Sequence, residues 1–248
     1  MMTHQTSAAS RRAFAVDALP VVTDELGLLD ELVALRELRI IELGCGAAKM
    51  ARDLLQRHPG CHVTGLEVDK IQHGRNLAQP QERLTFVEAG AQSIPFPDAT
   101  FDLALMLKSL HHVPLPLMAQ ALDEVARVLR PGGHLYVSEP IYDGAMNEVI
   151  RIYNDEGQVR RAAQEAVDAA LAGSGRWEAA AERRFAMPVN FRDFNDYEQR
   201  MMRPTYADHR LDDAKLARAR AAFEFHGGVR GVAFVRPMHV RLLRRLSA

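Results

Sequence analysis

The segment Ile41-Glu42-Leu43-Gly44-Cys45-Gly46-Ala47-Ala48-Lys49 constrains this chain more than any other. Residues 39–44 form a short apolar run that ends at glycines, the pattern of a buried strand feeding a turn. Residues 47–58 then read as a helix, stopped by Pro59-Gly60. Glycines between a strand and a helix let the backbone approach a ligand closely. The helix N-terminus aims its free amides at the same place.

The alternation continues downstream. Residues 61–67, 84–88, 101–107 and 134–138 read as strands, and residues 69–79 and 116–129 as helices. Pro131-Gly132-Gly133 reads as a turn before the fifth strand. Ahead of the first strand, Leu28, Leu32, Leu35 and Leu38 share one face of a helix over residues 28–38, and Gly27 argues against an earlier start. Such alternation predicts an α/β fold, a doubly wound and mostly parallel sheet with helices on both faces.

After Glu139-Pro140 the texture changes. Residues 143–182 lose strand character and become rich in Ala, Arg and Glu. Met146, Val149, Ile150 and Tyr153, then Val159, Ala163 and Val167, recur at helical spacing and predict a helical pair ended by Gly173-Ser174-Gly175. Residues 238–245 alternate like a strand. The expected organisation is a flexible tail over residues 1–19 and a single domain over 20–248, with a helical substrate-binding insertion at 141–200. Arg11 and Arg12 in the tail are not followed by the apolar run of a secretion signal.

Charge and cysteine usage narrow the function classes. Lys plus Arg number 31 against 32 Asp plus Glu, a net charge of -1. A nucleic-acid binder needs a basic footprint, so that class is disfavoured. No apolar run approaches the ~18 residues of a membrane span, which argues against stable membrane association. Cys45 and Cys61 make no disulfide framework and fit a reducing cytoplasm. Nothing near Cys45 lowers its pKa, so it reads as a small buried residue rather than a nucleophile.

The ligand is a nucleoside on this pattern. Glu67 ends the second strand about 20 residues after the glycines, where a carboxylate accepts hydrogen bonds from two ribose hydroxyls. A nicotinamide dinucleotide would fit those features, and an NAD-dependent oxidoreductase is one alternative. Lys49, however, stands where the dinucleotide motif wants a third glycine. Glu42 at the strand end would repel a pyrophosphate and suits a cationic ligand.

Further motifs then arrive in a telling order: Glu42-x-Gly44-x-Gly46, Val63-Thr64-Gly65-Leu66-Glu67, Ile94-Pro95-Phe96-Pro97-Asp98, Phe101-Asp102-Leu103, Leu110-His111-His112-Val113 and Val128-Leu129-Arg130-Pro131-Gly132-Gly133. Residues 39–139 thereby resemble the core of class I S-adenosyl-L-methionine (SAM)-dependent methyltransferases, in particular the small-molecule branch that includes ubiquinone and menaquinone C-methyltransferases. The resemblance implies a seven-stranded, Rossmann-like sheet with a helical insertion after the fifth strand, SAM as cofactor and a small-molecule acceptor. The chain would act as a monomer or homodimer. A SAM-binding regulatory protein without turnover is a further alternative.

The resemblance also implies roles. Gly44 and Gly46 would lie against the methionyl part of SAM, Glu42 would order that loop, and Glu67 would hold the ribose. Ala91 and Gln92 would flank the adenine with Ile94 packed near it. Lys108 follows the fourth strand, beside the methyl-transfer site. Two positions depart from the family: Ala48 replaces its third motif glycine, and Gly90 stands where an Asp often binds the adenine. His111 and His112 are candidate catalytic bases, because imidazole titrates near neutral pH. With no further ligand at recognisable spacing, the pair is not expected to hold a metal. Glu139, Tyr142, Asn147 and Arg151 are the candidate substrate-binding residues. Lys108 could alternatively pair with Glu139, and Arg151 with Glu148 or Asp155.

Overall fold

The computed structural model describes residues 18–173, 175–227 and 232–247. Most of the expected N-terminal tail therefore lies outside the described residues. Seven strands form one sheet: β1 (Arg39–Leu43), β2 (His62–Leu66), β3 (Leu84–Val87), β4 (Phe101–Leu107), β5 (Leu129–Pro140), β6 (Trp177–Phe191) and β7 (Val232–Arg245). Their order is β3-β2-β1-β4-β5-β7-β6. The first five strands run parallel, and β7 enters antiparallel between β5 and β6. The strand order reverses at β1 and β4, so a crevice opens beyond their carboxyl ends, where open α/β sheets bind ligands.

Helices cover both faces. One face packs α4 (Met118–Val128) and α6 (Gly157–Gly173) through Leu122, Val125 and Val167. The other packs α1 (Glu25–Leu32) and α2 (Lys49–Arg57) through Leu29 and Leu54, with Tyr136 and Phe185 from the sheet. Helix α3 (Lys70–Leu77) packs by β3, and a third cluster joins α5 (Ala145–Ile150), α7 (Phe194–Tyr197) and α8 (Asp213–Gly227) around Phe191, Tyr197, Phe223 and Phe234.

Three expectations need correction. The first helix begins at Glu25 and ends at Leu32, not at 28 and 38. Asp24 caps it by accepting from Gly27 N at 3.0 Å. A Cβ on Gly27 would stand 2.9 Å from Asp24 Oδ2, so the glycine makes room for the cap rather than blocking the helix. Pro131-Gly132-Gly133 does not separate helix from strand, because β5 runs unbroken through it with a shifted register opposite β4 between Phe101 and Leu103. Finally, the insertion is helical only in part. Residues 177–191 are the edge strand β6. Its Trp177-Glu178-Ala179-Ala180-Ala181-Glu182-Arg183-Arg184 start has helical composition, yet charged residues are what an exposed edge strand uses against further pairing.

Ala48 sits at the N-cap of α2 with φ 54°, in the left-handed region, and is fully buried. That conformation costs a non-glycine residue about 1–2 kcal/mol, against about 0.5–1 kcal/mol for the added freedom of an unfolded glycine. Ala48→Gly should therefore raise the melting temperature by roughly 1–4 °C. A lower melting temperature by calorimetry would contradict this account of the loop.

Candidate active site

A cavity of about 1130 Å³ occupies the crevice beyond β1 and β4. Glu42, Gly44, Gly46, Glu67, Ala91, Gln92, Lys108, His111 and His112 all line it. The sequence-derived cofactor set and both histidines are thus brought to one wall system. Ile94 is not among the lining residues. It packs in the core, and its amide donates to Glu124 Oε2 at 3.0 Å.

The glycine loop is built for close approach. Gly44 has φ +69°, and a Cβ there would meet Ser109 Cβ at 2.8 Å. Gly46 has φ +52°, and a Cβ there would meet nothing within 4 Å, so its backbone faces open cavity. Glu67 holds the loop across the crevice: Oε2 accepts from Gly46 N at 2.8 Å and Oε1 from Asp69 N at 2.9 Å. Asn76 Nδ2 donates to Gly46 O at 2.7 Å and is itself held by Gln72 at 2.9 Å. Burial pushes the Cys45 thiol pKa up, as an inert core cysteine requires. Gln92 covers position 90, since a Cβ on Gly90 would stand 2.6 Å from both Gln92 amide atoms. The Gln92 side chain therefore takes the space an Asp at that position would use.

Glu42 is buried at the cavity wall, and its Oε2 has no hydrogen-bond partner among the described residues. Burial pushes its pKa up to about 8, against the pull of Lys108. Lys108 itself is held by Glu25 Oε2 at 3.3 Å, not by Glu139. Glu25 comes from α1 and enters the site unannounced, because the expected helix started after it. The folded pKa of Glu42 lies above its ordinary 4.5. Its contribution is therefore fully present below 4.5 and is lost as pH rises through about 8. A cationic ligand favours the carboxylate, so binding should release a proton and tighten with rising pH up to about 8. Calorimetry of S-adenosylhomocysteine (SAH) and SAM in buffers of different ionisation enthalpy reads that proton. Glu42→Gln should abolish the release, weaken SAM binding and flatten the fall in free-protein stability over the same pH range.

The histidines are held from behind. Glu139 Oε1 accepts from Leu110 N at 2.8 Å, and its Oε2 contacts His111 Nδ1. Both side chains are buried, and Glu139 does not line the cavity. It positions His111 instead of touching substrate. The His112 ring lies tilted against that of His111 with centroids 4.1 Å apart, and Tyr206 is edge-on to it at 5.3 Å. Burial and the neighbouring His111 push the His112 pKa down to about 4, so its imidazole is neutral at neutral pH.

The insertion lines the cavity with Asn154, Asp155, Glu156 and Val159, and the segment before α8 adds Tyr206, Ala207 and His209. Tyr142, Asn147 and Arg151 do not line it. They stand one step back. Tyr142 donates to Asp155 Oδ1 at 2.6 Å, and buried Asn147 accepts from Arg160, which pairs with Glu156. Arg151 is exposed. Helix α5 ends at Ile150, so the chain turns toward the cavity only after the residues the helical pattern singled out.

Residues 41–137 match the family model described as a methyltransferase domain. This segment is a class I SAM-dependent methyltransferase domain. The chain is 34% identical over 154 residues to an O-methyltransferase, rstn1, of Aspergillus nomiae, covering 58% of this chain and 66% of that protein. It is also 34% identical over 120 residues to a demethylmenaquinone methyltransferase of Thermus thermophilus, covering 46% of this chain and 54% of that protein. The chain thus spans less than two thirds of the length of either relative. Among solved structures, the YcgJ protein of Bacillus subtilis shares the fold at a TM-score of 0.60 and 18% identity, over 90% of this chain and 98% of that one.

The methyltransferase domain's cofactor is SAM, and the site fits it on its own chemistry. A buried carboxyl with one unpartnered oxygen, Glu42 Oε2, stands at a cavity that can take a cation. The open backbone at Gly46 leaves room beside it, and Glu67 retains carboxylate lone pairs beyond its two backbone contacts.

Proposed function

We propose that the protein transfers the methyl group of SAM to a hydroxyl or phenol oxygen of a small molecule. The observation that carries this reading is His111 at the cavity wall with buried Glu139 behind its Nδ1. An imidazole whose Nδ1 proton is fixed by a carboxylate presents Nε2 as an acceptor. Such a base is needed when the acceptor atom carries a proton of high pKa. The relative from Aspergillus nomiae, named an O-methyltransferase, supports the same choice.

When bound, SAM supplies an electrophilic methyl group on a good leaving group. The chain's work is then positioning and charge. Gly44 and Gly46 would bring backbone against the methionyl part, Glu42 would balance the positive charge, and Glu67 would hold the ribose. Ala91 and Gln92, which line the cavity, would flank the adenine. Lys108, tied to Glu25, closes the wall beside the transfer site. His111 would take the proton from the acceptor oxygen at Nε2 while that oxygen gains the methyl group. His112, neutral and exposed to the cavity, flanks the acceptor with Tyr206.

A cation can draw Glu42 into its charged form whereas a pyrophosphate would only hold it protonated, so Glu42 at the wall favours a cationic ligand over a dinucleotide. A balanced charge supports a small-molecule partner over nucleic acid. Two free, buried cysteines support a reducing compartment such as the cytoplasm. No helix among the described residues is long and apolar enough to cross a membrane. Incubation with SAM and a panel of phenols and hydroxy acids, read by mass spectrometry, tests the proposal. The expected result is SAH with an O-methylated product. Methylation confined to carbon or nitrogen would overturn the oxygen assignment.

A further inference from the structure

His111 and His112 sit side by side after β4, and Glu156 reaches them from the connection into α6. One ring nitrogen of each histidine and one carboxylate oxygen of Glu156 lie within 4.8 Å of one another. Sequence spacing offered the histidine pair no third ligand. The fold supplies one from the insertion.

Each donor is held in place. Glu139 contacts His111 Nδ1, which leaves Nε2 as the ligating atom. A carboxylate behind a metal-bound imidazole fixes its tautomer and raises its basicity. Glu156 is held by Arg160 and by Asn154 Nδ2 at 2.9 Å, and a carboxylate so bonded keeps lone pairs for a further ligand. His112 is exposed to the cavity. Two imidazoles and a carboxylate, with one side open, make the donor set of an open zinc-type site. Nitrogen donors select late first-row ions over magnesium or calcium, which want oxygen shells.

We propose that His111, His112 and Glu156 bind one late first-row divalent cation, of the zinc, cobalt or nickel type, open toward the acceptor compartment. The site shares His111 with the methyl-transfer reading but does not depend on it. A bound ion occupies the Nε2 lone pair that otherwise takes a proton, so metal binding and base catalysis at His111 exclude one another.

Titration of the full chain with cobalt(II), without SAM, tests the site. Visible ligand-field bands should saturate at one ion per chain, disappear on addition of zinc and persist in excess magnesium. Glu156→Gln, nearly isosteric, and His112→Ala should each weaken cobalt binding about tenfold or more. Absent bands, bands unchanged in both variants, or displacement by magnesium would overturn the proposal. The SAH-induced thermal shift of the same samples reports folding. If His112→Ala loses that shift, Glu156→Gln decides. Failure of cobalt binding with the shift intact removes the metal site alone, whereas absence of the shift in the unaltered chain removes the methyltransferase reading.

Discussion

Replacing Glu67 by alanine should lower the affinity for SAM and SAH by at least about 100-fold. Each charge-assisted hydrogen bond to a ribose hydroxyl is worth roughly 1.5–3 kcal/mol, and two of them together exceed the ~2.7 kcal/mol of a 100-fold change. The substitution also removes the acceptor for Gly46 N and Asp69 N, which loosens the glycine loop. Gly46 borders the cavity and Asp69 is half-buried, so water can replace the carboxylate and the fold should survive. Glu67→Gln should fall between the two, since an amide oxygen still accepts one hydrogen bond. Titration calorimetry with SAH reads the effect, and circular dichroism checks the fold. An alanine variant that binds SAH within a factor of about three of the parent would contradict the placement of the ribose.

Replacing His111 by alanine should lower turnover by about 10²–10⁴-fold, the range of a positioned general base, while SAH affinity changes little. The two substitutions thus separate cofactor binding from proton transfer. His111→Ala also leaves the buried Glu139 carboxylate with Leu110 N as its remaining hydrogen-bond donor among the described residues. Stranding one partner of a buried pair costs about 3–5 kcal/mol, so the variant's melting temperature should fall. His111→Ala combined with Glu139→Gln should recover much of that stability without recovering turnover. Recovery of turnover in the double variant, or a single variant with parental turnover, would remove His111 from the proton path.

The parallel half of this fold was legible because its signals are local. Buried strands ending in glycine, helices stopped by Pro59-Gly60, and Glu67 after the second strand need only short windows of sequence. The meeting of the expected cofactor residues at one cavity was legible for the same reason: Glu42 lies near a strand's carboxyl end and Gly44, Gly46, Ala91 and Gln92 follow one, where topology brings them together. What failed was long-range. Glu25 pairs with Lys108 across 83 residues, and Glu139 with His111 across 28. Spacing carries no trace of either. Strand β6 was hidden by helix-favouring composition that an edge position tolerates. The acceptor side was misplaced by only a few residues. Helical spacing pointed to Asn147 and Arg151, whereas the loop that follows them, from Asn154 to Glu156, turns into the cavity. Gly27 misled because a glycine that lowers helix propensity can also make space for a cap.

A thermal-shift titration with SAM, SAH and NAD in parallel tests the central claim most directly. A ligand at 100 times its dissociation constant adds about 2.7 kcal/mol, which for a chain of this length is roughly 5–10 °C. The account predicts that shift with SAM and SAH and none with NAD. A shift with NAD alone, or none with SAM and SAH at saturating concentration, would contradict it.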